Sequence, residues 1–295
     1  MKKSVFVALA FIFGYAMLAF AQTMPKPKDA AVPEKTGLPA MTRDSRCGQI
    51  LTTCFVDGHP MRMMLDTGAT HTVLHNESVE KLKNPRWLDT SRITFKGNSK
   101  QRPKILIAPL KVGPGTFSQH SVIVVSLAAV RSMMGEKIDG IIGMDILGAL
   151  SFTFDLRKNE YYWGVPATNK LISIPGKFDA NGRLFMRVRN GEKSFSLLLD
   201  TGSSSTRIRA EDWSPGIAGQ ISAKIGNIDT ASQQKIRQGN PGCLEVAPAI
   251  RLKKISPLIC DSGDLTMLGM DALKDNVLVH IPTKKSRFGA FFFAE

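Results

Sequence analysis

Apolar and polar residues change places in short runs along this chain, with a period near two, and the runs are punctuated by turn residues. In "ILTTCFVDGHPMRMML" an apolar run reaches Val56, turns at Asp57-Gly58, and returns as a second apolar run ending at Leu65. In "GRLFMRVRNGEKSFSLLL" the positions from Leu184 to Val188 alternate, Asn190-Gly191 supplies a turn, and a second strand runs to Leu199. Period two is the strand signature, and turn residues of this kind predict hairpins. Each predicted hairpin delivers the same tripeptide, Asp66-Thr67-Gly68 and Asp200-Thr201-Gly202. Small or hydroxylated residues follow both, "ATHTVL" and "SSSTRI". The ends match as well: "IDGIIGMDILGALSFTF" and "GDLTMLGMDALKDNVLV" share two apolar residues, Gly-Met-Asp, a short turn of helix and a strand. Four matched landmarks in one order predict that the chain is built as an internal repeat. The second copy is shorter in its middle.

The pattern breaks at the N-terminus. "MKKSVFVALAFIFGYAMLAFAQ" places Lys2 and Lys3 before an uncharged apolar run that ends in Ala19-Phe20-Ala21. That is the layout of a secretory signal with a small-x-small cleavage site. Residues 1–21 are therefore expected to be a signal peptide, with an uncleaved anchor as the alternative. The expected location is exported, periplasmic or extracellular, with membrane contact only through this segment. Residues 22–46 hold several prolines, many charges and little apolar periodicity, and predict a flexible linker or pro-segment. The repeat then divides as residues 47–165, an interlobe linker at 166–175, and residues 176–295.

With 295 residues the chain is long enough for two compact lobes, and 43% apolar content argues against disorder. The formal net charge of +14 favours acidic partners. The basic residues are scattered, however, without zinc-finger spacing or an RNA-binding aromatic signature, so no nucleic-acid partner is expected. No Cys-x-x-Cys pair occurs among Cys47, Cys54, Cys243 and Cys260, which speaks against a zinc or thioredoxin-like site. Cys243 and Cys260 flank "LEVAPAI" and "ISPLI"; a hairpin turning near Arg251-Leu252 would set them opposite each other as a disulfide candidate. His71 and His75 do not form His-Glu-x-x-His and are expected to be structural or exposed. There is no Gly-x-Ser-x-Gly elbow. No metal and no cofactor is expected.

The doubled Asp-Thr-Gly carries the candidate chemistry. A carboxylate at the end of an apolar strand loses hydration, and a lone one would neutralise. Two carboxylates a few ångströms apart share one proton, so one acts as base while the other acts as acid. Glycine after each Asp-Thr lets backbone N–H groups approach the carboxylates. In these motifs the chain resembles the aspartic proteases, specifically the retropepsin-like enzymes. Asp66-Thr67-Gly68 pairs with Ile141-Ile142-Gly143, and Asp200-Thr201-Gly202 with Met267-Leu268-Gly269.

The resemblance implies an all-β fold of two retropepsin-like β-barrel lobes with the active site in the cleft between them, fused in one chain as in pepsin. It makes Asp66 and Asp200 the catalytic pair. Thr67, Gly68, Gly143, Thr201, Gly202, Ser203 and Gly269 become support, each threonine reaching across to the opposite lobe. It also implies an aspartic endopeptidase acting on peptides or proteins, as a monomer with intramolecular lobe pairing. The alternative is a two-lobed peptide-binding scaffold with weak or no activity. Candidate flaps are Thr94 to Arg102 and Lys224 to Gln234, neither with the tyrosine of pepsin-like flaps. Ala69 and Ser203 occupy matched positions, and by resemblance to pepsin-like sites the Ser203 hydroxyl would donate to Asp200. That would make Asp200 the more readily ionised member and leave the shared proton on Asp66.

Overall fold

The computed structural model describes residues 40–83, 85–95, 98–107, 109–168, 170–226, 231–247, 250–261, 264–283 and 286–294. The expected signal peptide, and the linker up to residue 39, lie outside them. The tips of both candidate flaps, residues 96–97 and 227–230, also lie outside.

Two ten-stranded sheets repeat one topology. In the first, the strands run in the spatial order Arg86–Phe95, Asn98–Ile107, His120–Val125, Val73–His75, Gly140–Ile142, His59–Leu65, Ile50–Val56, Leu110–Val112, Gly115–Phe117. In the second the order is Ile217–Gly226, Ala231–Gly239, Leu258–Cys260, Arg207–Arg209, Met267–Leu268, Lys193–Leu199, Leu184–Asn190, Gly242–Ala247, Ile250–Ile255. Each has one further short strand beside the path, Thr42–Arg43 in the first and Gly176–Phe178 in the second. The all-β reading and the internal repeat are both shown at the level of strand order.

The hairpins follow from local chemistry. Asp57 and Gly58 both take positive φ, 50° and 78°, as a type I′ turn requires, and Val56 pairs with His59. In the second hairpin Asn190 pairs with Lys193, so the turn is Gly191-Glu192, one residue beyond the expected Asn190-Gly191. Gly191 alone has positive φ, which suits a type II′ turn with glycine first. Asn190 is instead buried, its amide bonded to Cys243 O and Ser214 N.

A five-stranded sheet ties the lobes together. Its order is Glu160–Trp163, Phe152–Asp155, Val277–Thr283, Ser286–Ala294, Leu171–Ser173, drawing on both units and on the stretch between them. Phe152, Phe154, Phe291 and Phe293 fill its core, with the His280 ring 5.1 Å from Phe152 and 4.6 Å from Phe291. His280 Nδ1 also reaches Leu150 O at 2.7 Å, from the second unit to the first.

Three expectations need correction. The folded part begins before residue 47: Met41 is buried and Thr42–Arg43 pairs with Leu51 and Ile50. The linker 166–175 is not free of structure, since Leu171–Ser173 lies on the edge of the shared sheet. The Cys243–Cys260 disulfide is absent; neither cysteine is bridged. In the hairpin after Cys243, Ala247 pairs with Ile250 and two register shifts displace the pairing; Cys260 lies beyond it in a strand paired with Arg207–Arg209. Burial pushes the Cys54 thiol up to about 12.

Candidate active site

Asp66 and Asp200 end matched strands, and each is held by the segment that passes beside it. The Asp66 N–H donates to Ile142 O at 3.0 Å, and the Asp200 N–H donates to Leu268 O at 3.1 Å. Met144 N–H donates to Ala69 O and Met270 N–H to Ser203 O, both at 2.9 Å. Gly143 and Gly269 permit this crossing. A Cβ on Gly143 would lie 2.7 Å from the His71 carbonyl carbon, and one on Gly269 would lie 2.6 Å from that of Ser205.

The two threonines lock the lobes reciprocally. Thr67 Oγ1 donates to Leu199 O at 2.8 Å and accepts from Thr201 N at 3.1 Å. Thr201 Oγ1 donates to Leu65 O at 2.9 Å and accepts from Thr67 N at 3.1 Å. Thr67 and Thr201 are 1% and 0% exposed, so each hydroxyl satisfies backbone groups that water cannot reach. This exchange sets the carboxylates face to face. Gly68 lies against Asp200, where a Cβ would be 2.5 Å from Cγ; a Cβ on Gly202 would overlap the Asp66 carboxylate. Only glycine fits at these two positions.

Both carboxyls are pushed above the ordinary carboxylate range, first of all by burial. They diverge because their surroundings do. Asp66 Oδ1 accepts the N–H of Gly68 at 2.7 Å and of Ala69 at 3.0 Å. Asp66 also gains from the N–H of Gly202 and from a hydrogen bond with Asp200. Asp200 has the N–H groups of Gly202 and Ser203, but the neighbouring charge of Asp66 drives its carboxyl well up. Of the pair, Asp200 is held further above the ordinary range than Asp66, whereas the sequence expectation places the shared proton on Asp66. The Ser203 hydroxyl does not reach Asp200; it donates to Ser205 O at 2.9 Å.

A second tier of residues, not singled out as site residues from the sequence, braces each loop. Thr72 N and Oγ1 both donate to the Asp145 carboxylate at 2.8 Å, and Thr72 Oγ1 accepts from Gly143 N at 3.2 Å. In the second lobe Thr206 N and Oγ1 donate to Asp271 Oδ1 at 2.8 and 2.7 Å, and Thr206 Oγ1 accepts from Gly269 N at 3.1 Å. The signal was present: a threonine six residues after each loop aspartate, and an aspartate two after each later glycine. The copies differ in what else each carboxylate meets: His120 Nε2 lies 2.9 Å from Asp145 Oδ2, and Ala272 N–H donates to Asp271 Oδ1 at 2.9 Å. Burial raises the Asp271 carboxyl above its ordinary range.

Gln49 adds a bond between lobes that no motif signals; its Nε2 donates to Gly202 O at 3.2 Å. Among the described residues His71 bonds its neighbour Thr70, and buried His75 accepts from Leu127 N through Nδ1 at 2.9 Å. Both histidines are structural or exposed, as expected.

The comparisons with known proteins meet this geometry at the first unit. Residues 52–146 match the family model for aspartyl protease. DNA damage-inducible protein 1 of Yarrowia lipolytica is 26% identical over 118 residues, 39% of this chain and 28% of that protein. The chain thus covers little more than a quarter of that relative. Strand order, doubled loops and sequence match agree: the first unit is similar to the aspartyl protease family over residues 52–146, and the second unit repeats the strand order of the first.

Proposed function

We propose that the chain is an aspartic endopeptidase, hydrolysing peptide bonds in a peptide or protein substrate. The observation that carries this reading is the reciprocal threonine exchange that sets Asp66 and Asp200 face to face, each against the opposite lobe's glycine. A fold kept only for binding has no need of a buried carboxyl pair that must share a proton, a costly arrangement.

The roles follow from the electrostatics. Asp66, ionised, takes a proton from a water molecule whose oxygen attacks the scissile carbonyl carbon. Asp200 gives its proton to the carbonyl oxygen, producing a neutral diol. The carbon–nitrogen bond then breaks, the proton on Asp66 passes to the leaving nitrogen, and a diol hydroxyl returns a proton to Asp200. Backbone N–H groups of both loops support the charge on Asp66 throughout, fixed before substrate arrives. One chain supplies both carboxylates, so the working unit is a monomer.

The test is digestion of a peptide library with and without a transition-state isostere such as pepstatin. Cleavage suppressed by the isostere supports the reading. Cleavage indifferent to it, or none across a broad pH range, rejects it.

Export is proposed from Lys2, Lys3, the apolar run and Ala19-Phe20-Ala21. Mass spectrometry of the exported chain checks it: removal near Ala21 is expected, and an intact Met1 indicates an anchor.

A further inference from the structure

The two lobes present different surfaces around the carboxyl pair. Strand alternation identifies which face is which. In the first lobe Leu65 packs in the main core, so Met64 and Asp66 lie on the opposite face. Met64 pairs with Ile141, and Ile141 pairs with Val73, three cross-strand neighbours in a row. These three belong to a separate apolar cluster with Leu51, Ile123 and Val125, and the helix Ala128–Met134 adds Val130 and Met134. The carboxylate-bearing face of the first lobe is therefore apolar and roofed.

The same row in the second lobe is Leu198, Met267 and Arg207. Leu197 and Leu199 belong to the main core, so Leu198 and Asp200 share the opposite face. Thr206 and Ile208 are fully buried, which turns Arg207 and Arg209 onto the carboxylate-bearing side. Two arginines thus stand where the first lobe has Val73 and His75. Both Nε atoms are covered and lack a hydrogen-bond partner. Among the described residues neither side chain makes an ion pair; Asp261 is taken by Arg237. Covering a guanidinium nitrogen without a partner costs stability. Both residues are partly exposed while their Nε atoms are covered, which leaves the terminal nitrogens as the groups we take to meet a ligand.

We propose that Arg207, assisted by Arg209, is a specificity-determining residue that binds an acidic side chain of the substrate close to the scissile bond. The inference rests on the protease reading for its cleavage readout but not for its binding readout. At strand spacings of about 4.8 Å between neighbours and 3.3 Å along the chain, Arg207 Cα lies roughly 12 Å from that of Asp200. An arginine side chain spans about half of that, so its guanidinium meets an extended substrate about two or three residues from the bond. A carboxylate approaching end-on takes two charge-assisted hydrogen bonds. The net charge of +14 draws an acidic peptide toward the chain, while the arginine pair fixes where the acid sits.

The experiment compares labelled peptides that differ only by Glu against Gln at each position flanking one bond. Binding is measured on the full chain carrying Asp200→Asn, and kcat/KM on the unaltered chain. One position is expected to favour Glu by about tenfold or more, with the advantage shrinking as salt rises. In Arg207→Met/Arg209→Met the Glu/Gln ratio should fall to about one, and Arg207→Lys should restore part of it. The ratio is read within each variant, so a general loss of folding does not imitate the result. A ratio near one at every position of the parent chain, or a ratio that survives in the double variant, overturns the proposal. Cleavage without Glu preference rejects this inference and leaves the protease; Glu-dependent binding without cleavage does the reverse.

Discussion

The first lobe roofs its carboxylate-bearing face with an apolar helix, and the second lines the same face with arginines, although strand order and loop hydrogen bonds repeat between them. The repeated part comprises the Asp-Thr-Gly loops, the crossing glycines and the bracing Thr–Asp pairs. The divergent part is the surface beside the carboxyl pair, where we propose that a substrate binds. Chemistry between two carboxyls needs both halves of the frame and tolerates little change in either. Recognition gains from asymmetry, because a peptide has a direction.

The largest expected effect breaks the symmetric half of this comparison. Asp66→Asn and Asp200→Asn should each lower cleavage by about a thousandfold or more, within what acid–base partners contribute. Peptide turnover measures it. Near-normal activity in either single variant would mean that the lobes are not partners in catalysis.

Next comes the roof over the first lobe. Met134 is 2% exposed and packs in the apolar cluster beside the site. Met134→Ala should cost about 2–5 kcal/mol in denaturant unfolding, the usual range for a buried large-to-small change. A negligible cost would show that the helix is a loose appendage. The threonine exchange follows in size. Thr67→Val and Thr201→Val each leave a buried carbonyl and a buried N–H unpaired, for about 2–3 kcal/mol. The two costs should agree, because the exchange is reciprocal; an effect in one variant only would show that a single lobe carries the link.

Proton placement separates the loops more finely. Both carboxyls have folded values raised above their unfolded ones, so both favour the folded chain at low pH. That stability is present below the unfolded value of about 4 and is lost as pH rises through the folded value. Asparagine at either position removes the loss. Stability should therefore fall from pH 4 toward neutrality more steeply in the unaltered chain than in Asp66→Asn or Asp200→Asn. Thermal melting across pH measures this, and an unchanged slope in both variants would mean that the two carboxyls do not titrate as a raised pair.

The sequence disclosed the symmetric part because that part is written in contiguous strings. Asp-Thr-Gly, the later glycines and the two hairpins are local, and their repetition exposed the all-β, two-unit plan. What it hid depends on register. The Cys243–Cys260 pairing failed because Gly242–Ala247 pairs with Ile250–Ile255, whereas Cys260 lies in a later strand paired with Arg207–Arg209. The helix Ala128–Met134 lies in "LAAVRSMMG", a short stretch whose end is marked by Gly135 at a φ of 74°. Its site-side role emerges only from packing. Arg207 and Arg209 are plain in "TRIR", yet their orientation requires knowing that Thr206 and Ile208 face the core. Gln49 joins Gly202 across the whole of the first lobe's sequence, a distance no motif spans.

The smallest expected effect concerns the one side-chain difference inside the loops, Ala69 against Ser203. A serine beside a catalytic carboxylate invites the view that its hydroxyl stabilises the charge. In this chain the hydroxyl is engaged with Ser205 O at 2.9 Å, so it braces the loop. Ser203→Ala removes that bond, at about 1 kcal/mol of stability. Asp200 keeps the Ser203 backbone N–H, which the substitution does not touch. The acid limb of the pH–rate profile should therefore stay in place while the melting temperature drops slightly. Had the hydroxyl donated to the ionised carboxylate, its loss would raise the governing value and carry the acid limb to higher pH. A shifted limb with a normal melting temperature would return the hydroxyl to the carboxyl pair, and with it the assignment of the ionised member to Asp200.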